Sequence, residues 1–133
     1  MIERYSDTVI EHFMCPQNIG SLPDAHAEGE AGDASCGDYL CMYIKVKDFM
    51  ISDIGYLVFG CPAAIATSSM TSVLAKGKSL NEALKITEDD IIDALGGLPE
   101  DKIHCSVLGV GALKNTINEY FKKNNFNLAE EMK

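Results

Sequence analysis

Hydrophobic spacing divides the chain into a helical opening, a hairpin and a helical second half. Ser6 is placed to cap a first helix that carries Val9, Ile10, Phe13 and Met14 on one stripe, and Pro16 stops it. From Tyr39 to Lys47 the residues alternate. Leu40, Met42, Ile44 and Val46 share one face; Tyr39, Cys41, Tyr43, Lys45 and Lys47 share the other, the signature of a half-buried strand. A second strand from about Ile51 to Phe59, joined by a turn over 47–50, completes an antiparallel hairpin. Residues equidistant from a hairpin turn lie opposite each other. Cys36 and Cys61 are symmetric about residues 48 and 49, so they are expected to meet at the open end.

Beyond the hairpin the period becomes helical. Pro62 suits a first helical position. A helix is predicted from there to Lys76, with Ile65, Ala66, Met70, Val73 and Leu74 toward the sheet and Gly77 ending it. Ser79-x-x-Glu82 is a capping box opening a short helix. Thr87 caps EDDIIDAL, whose acidic residues suit the positive end of a helix dipole. Gly96, Gly97 and Pro99 break the chain before DKIHCS. A final long helix starts at about Ser106, with Val110, Leu113, Ile117, Tyr120 and Phe121 at helical spacing. Gly109 and Gly111 weaken it by about 1 kcal/mol each relative to alanine, and would permit a close backbone approach. Residues 16–37, rich in Gly, Pro, Asp and Ala, read as a long loop, a feature usually tied to function or mobility. Residues 1–4 and 124–133 read as frayed tails on one domain spanning 1–133.

Bulk properties narrow the function. The 133 residues, 47% hydrophobic, suit a single domain. With 20 acidic against 11 basic residues the net charge is −9. That balance argues against nucleic acid and gives no reason to expect anionic lipid. A positively charged protein surface or a cation fits better. No apolar run approaches the ~20 residues of a membrane helix, and MIERYSDTVIEHF lacks the hydrophobic stretch of a signal peptide. A cytoplasmic chain is expected. In that reducing compartment five cysteines (Cys15, Cys36, Cys41, Cys61 and Cys105) point away from a disulfide framework and toward metal binding, redox chemistry or burial.

Position separates the five. Cys61 lies between Gly60 and Pro62 at a strand-to-helix corner, where unpaired N–H groups and the helix dipole favour a thiolate. A small buried corner residue is an equal alternative on local sequence alone. Cys36 lies in Ser-Cys-Gly-Asp. Gly37 would let Cys36 and Asp38 aim at one point, although Asp38 by itself reads more readily as a turn residue. His104 and Cys105 straddle the start of the last helix, and imidazole with thiolate is a common ligand pair for zinc or iron. Cys15 and Cys41 read as packed or incidental, His12 as a solvated helix residue, and His26 carries no signal. Three thiols, one imidazole and one carboxylate on separated segments do not match paired Cys-x-x-Cys zinc knuckles. They describe an open site that exchanges ligands.

These segments together resemble the U-type iron–sulfur cluster assembly scaffolds, the stand-alone counterpart of the N-terminal domain of nitrogenase-type scaffolds. The likeness is carried by YSDTVIEHFMCPQNIGSL (5–22), SCGD (35–38), FGCPAAIATSS (59–69), GKSLNEAL (77–84) and LPEDKIHCS (98–106). It implies an α+β fold, a small two-layer sandwich in which helices pack on a three-stranded antiparallel sheet and the long helix is C-terminal. The third strand, drawn from the loop before Cys36, rests on the resemblance. The family holds a nascent [2Fe–2S] cluster, receives sulfur as persulfide from a cysteine desulfurase, and passes the cluster to acceptor apoproteins. By motif, Cys36, Cys61 and Cys105 would be the sulfur-accepting or cluster-binding thiolates. Asp38 and His104 would complete the set of metal and cluster ligands, with Gly37 and Lys102 supporting. The chain would then be a carrier and not an enzyme; a Cys–His nucleophile is disfavoured because neighbours at i and i+1 on a helix do not face each other. The alternative is a zinc-binding sulfur-acceptor or regulatory module without iron, zinc taking the same Asp/Cys/His/Cys donors. Sharing of a cluster within a homo-oligomer stays open. Leu98-Pro99-Glu100-Asp101-Lys102 departs from the family's Leu-Pro-Pro-Val-Lys, which argues against a dedicated Hsp70-type chaperone.

Overall fold

The hairpin sets the frame. In the computed structural model, which describes residues 5–33 and 37–124, β2 (Asp38–Lys47) and β3 (Met50–Phe59) pair antiparallel with Tyr39 opposite Phe59 and Lys47 opposite Met50. Asp48 and Phe49 form the two-residue turn, both at positive φ (54° and 62°), as a twisted tight hairpin requires. Leu40, Met42, Ile44 and Val46 are buried on one face.

The expected loop over 16–37 is corrected in part. It contains β1 (Ala27–Asp33), which pairs antiparallel with β2 to give the sheet order β1-β2-β3. Its helix-facing positions are Ala27, Gly29 and Ala31, small because the last helix lies directly on the strand. A Cβ on Gly29 would stand 2.6 Å from the Thr116 backbone nitrogen.

Helices cover one face. They are α1 (Asp7–Met14), α2 (Pro62–Ala75), α3 (Leu80–Leu84), α4 (Glu88–Ala94) and α5 (Cys105–Lys123), with a 3₁₀ turn at Glu100–Lys102 before α5. The three-stranded α+β sandwich is therefore as expected. In α1 Val9 is fully buried and Ile10 packs against the core, but Met14 is 67% exposed and leaves the stripe. Helix α2 also departs from its expected stripe, since Val73 is 42% exposed while ten residues, mostly Ala, Ser and Thr, are buried. Its neighbours α1, β3 and α5 enclose it, and small side chains permit that approach. His12 is likewise not merely solvated: its Nδ1 lies 2.7 Å from Ser69 Oγ on α2.

Helix α5 starts one residue earlier than expected, at Cys105. Its Val110, Leu113, Ile117 and Phe121 are buried. The close approach at Gly109 is to Thr71 of α2, whose Cβ would sit 3.2 Å from an added methyl, with its Oγ1 closer still. The frayed ends expected at 1–4 and 124–133 lie outside the described residues, except Asn124, which caps α5 and donates through Nδ2 to Tyr120 O at 2.8 Å.

Candidate functional site

Three element ends converge at the open end of the hairpin. The register brings Asp38, first residue of β2, beside the residues that follow Phe59. Cys61 is the N-cap of α2, with extended backbone (φ −74°, ψ 170°) and Pro62 behind it. His104 is the N-cap of α5 and Cys105 its first residue. Buried Thr67 ties the two helices together: its hydroxyl lies 3.1 Å from Cys105 O and the same distance from Ala64 O.

The donor atoms form a tight group. Cys61 Sγ lies 3.8 Å from Cys105 Sγ, Cys105 Sγ lies 3.8 Å from His104 Nε2, and His104 Nε2 lies 3.9 Å from Asp38 Oδ2. The donors of Asp38, His104 and Cys105 all fall within 4.8 Å of one another. A tetrahedral ion with bonds of about 2.0–2.3 Å sets its ligands roughly 3.3–3.8 Å apart, so this spacing needs little adjustment to hold a metal. His104 is exposed, Asp38 and Cys61 are half-buried, and Cys105 is buried. The group faces solvent through its imidazole and is sealed at its deepest sulfur. Beside it a cleft of about 290 Å³ is lined by Asp38, His104, Cys105, Ala31, Val107 and Leu108.

Electrostatics explain why the site suits a cation. Burial first, then the Cys61 sulfur and the Asp38 carboxylate, push the Cys105 thiol up to about 12, while Lys102 pulls in the opposite direction. Gathering anionic donors in one place is unfavourable without a positive charge. A bound metal ion reverses that logic and displaces the thiol protons.

Three of the five expected ligands, Asp38, His104 and Cys105, form the compact group, and Cys61 adjoins it through Cys105 alone, at 3.8 Å. Cys36 lies outside the described residues. Gly37 has a positive φ (92°), a conformation that glycine adopts without steric cost. Cys41 is buried on the outer sheet face with Sγ 3.9 Å from Glu28 Oε2, and Cys15 is exposed at the C-cap of α1. Neither joins the donor group found among the described residues. Two contributors had no clear signal in the sequence. Thr67 was hidden in a run of small residues. Gly60 precedes Cys61 and leaves beside Asp38 a space that a side chain would fill, a Cβ there standing 2.5 Å from Asp38 Oδ1, yet it looks like ordinary strand-end punctuation.

Residues 4–127 match the family described as NifU-like N terminal domain. Iron-sulfur cluster assembly scaffold protein IscU 1 of Archaeoglobus fulgidus is 54% identical over 120 residues, 90% of this chain and 78% of that protein. The scaffold protein IscU of Aquifex aeolicus is 43% identical over 121 residues, 90% of this chain and 77% of that protein. In fold, the chain is similar to the crystal structure of the N-terminal part of a NifU-like protein from Brucella abortus. The TM-score is 0.70 at 20% identity, covering 91% of this chain and 96% of that one. On that match and those identities, the chain belongs to the NifU-like N-terminal domain family.

Proposed function

We propose that the chain is a scaffold on which a [2Fe–2S] cluster is assembled as cargo and then passed to acceptor apoproteins. The observation that carries this reading is the convergence of donors from three separate segments at a partly open tip. Two more features support it: the family membership, and the names of relatives such as IscU of Aquifex aeolicus. Cys36, Cys61 and Cys105 serve as thiolate ligands and sulfur acceptors, with Asp38 and His104 as exchangeable ligands. Lys102 moderates the charge at Cys105. A carboxylate is a harder, poorer partner for an iron–sulfur centre than thiolate. Asp38 therefore loosens the hold on the cargo, as delivery needs. Sulfur comes as persulfide from a cysteine desulfurase.

The free thiols require a reducing compartment, which favours the cytoplasm; no helix among the described residues is long and apolar enough to cross a membrane. The chain acts stoichiometrically, as a carrier. Departure from the family's Leu-Pro-Pro-Val-Lys segment weighs against a dedicated Hsp70-type chaperone, and two subunits of a homo-oligomer could share one cluster.

Anaerobic reconstitution with iron, sulfide or cysteine, and a desulfurase tests the reading. The wild-type chain should develop the visible absorption of a [2Fe–2S] cluster, and Cys36→Ala, Cys61→Ala and Cys105→Ala should each lose it. Equal retention by all three variants overturns the assignment. The spacing of Asp38, His104 and Cys105, with Cys61 beside Cys105, also favours a second reading, a single zinc ion in a sulfur-acceptor or regulatory module. Zinc alone after oxygen-free purification, with no cluster on reconstitution, selects that version.

A further inference from the structure

We propose that Gly60 is a positioning residue for Asp38: the missing side chain at position 60 is the notch that seats the carboxylate among the metal donors. The inference rests on the scaffold reading above and deepens it. Most glycines at bends serve the backbone by adopting positive φ. Gly60 is not among the chain's positive-φ glycines, so its backbone is one that alanine can also adopt. What excludes a side chain there is space. A Cβ would stand 2.5 Å from Asp38 Oδ1 and 2.9 Å from the Cβ of Ala64 on the first turn of α2.

The two obstacles differ in how they yield. Ala64 is fixed on a buried helix, and its displacement costs stability. The carboxylate ends a short side chain and can rotate. An added methyl therefore evicts Asp38 from its seat while its other oxygen, Oδ2, is drawn from the 3.9 Å approach to His104 Nε2. Gly60 also stands immediately before Cys61, so the notch fixes carboxylate and thiolate relative to each other in one corner. It thereby controls whether the hard ligand belongs to the set.

Co(II) serves as the probe of the donor set, because its visible spectrum reports ligand type without iron or sulfide. Replacing a residue that orients a metal ligand lowers affinity about 10- to 100-fold. Gly60→Ala should weaken Co(II) by about tenfold at the lower end of that range, and its spectrum should match that of Asp38→Ala. The double variant Gly60→Ala/Asp38→Ala should be no worse than Asp38→Ala alone. A second variant, Gly60→Ala/Ala64→Gly, removes the helix contact and keeps the clash with the carboxylate; it should reproduce the Gly60→Ala spectrum. A wild-type spectrum and affinity in Gly60→Ala, or fully multiplicative losses in the double variant, overturns the proposal. Failure of the wild-type chain to build a cluster overturns the scaffold reading instead, and the Co(II) comparison still decides the role of Gly60.

Discussion

Compare the starts of α1, α3 and α4 with those of α2 and α5. The first three begin on a hydroxyl that accepts from the third helical N–H: Ser6 from Val9 at 3.1 Å, Ser79 from Glu82 at 3.1 Å, and Thr87 from Asp90 at 3.2 Å. In α3 and α4 the partner side chain reaches back to complete a capping box. The other two begin on Cys61 and His104, and neither side chain caps its helix. A hydroxyl cap typically stabilises by ~1 kcal/mol. Helices α2 and α5 forgo that term and place a thiol and an imidazole, side chains of the metal-ligating type, at the position where the cap would be. They are held by other means: the Thr67 hydroxyl donates to Cys105 O, the turn before α5 accepts from the Ser106 and Val107 N–H groups through Ile103 O and His104 O, and Gly109 packs against Thr71. Local rules govern the helices that only build the fold. The site lies where those rules are set aside.

The comparison breaks most sharply at Cys61. Cys61→Ser supplies the missing hydroxyl in a backbone already extended at the cap. The variant should lose cluster retention on reconstitution, while its unfolding free energy stays equal to wild type or rises by up to ~1 kcal/mol. Absorption after reconstitution and urea unfolding of the metal-free protein give the two readings. A destabilised variant that still holds the cluster would show that the corner was built for packing.

Packing compensates for the absent caps, and the glycines of α5 test that. Gly109→Ala gains about 1 kcal/mol of helix propensity but drives a methyl into Thr71, and overpacking of this kind costs roughly 1–3 kcal/mol. A net loss in urea unfolding is expected. Gly111→Ala meets only Ala31 Cβ at 3.5 Å, an ordinary contact, and should gain up to about 1 kcal/mol. Equal effects at both positions would remove the argument for close approach. Similar in size and opposite in sign is Thr87→Ala, which should lower stability by ~1 kcal/mol and leave Co(II) binding and cluster retention untouched.

Local chemistry made much of this legible. The caps at Ser6, Ser79 and Thr87, the alternation of β2 and the helix after Pro62 follow from neighbouring residues, and each is present as read. Asp38, Cys61, His104 and Cys105 were visible as chemistry at element ends; the meeting of Cys36 with Cys61 expected from hairpin symmetry falls on a residue outside the described ones. What stayed hidden depends on partners far away in the chain. Strand β1 shows no apolar alternation because α5, some 85 positions later, takes the space its side chains would fill. His12 looked solvated because its partner Ser69 is 57 residues away. Val73 fits a helical stripe, but small residues bury α2 on its other sides. Gly60 could not be distinguished from a bend glycine until its φ and its neighbour Asp38 were known.

The smallest expected effect isolates the charge in a fold-building cap. Glu82 closes the capping box of α3, accepting from the Ser79 backbone N–H at 3.2 Å. That bond, helped by the Ser79 hydroxyl and by Lys78 and Lys85, holds its carboxyl below the ordinary glutamate value of 4.5. A depressed folded-state pKa contributes stability that is present above the unfolded pKa and lost as pH falls through the folded one. Glu82→Gln keeps an acceptor for Ser79 and removes the charge. Near neutral pH the wild type should be slightly the more stable of the two, and the gap should close as acid takes the pH below 4.5. Paired urea titrations across that range measure it. A gap that is constant with pH, or that widens in acid, would mean that shape and not charge makes the box, leaving the hydroxyl as the main difference between the starts of α3 and α2.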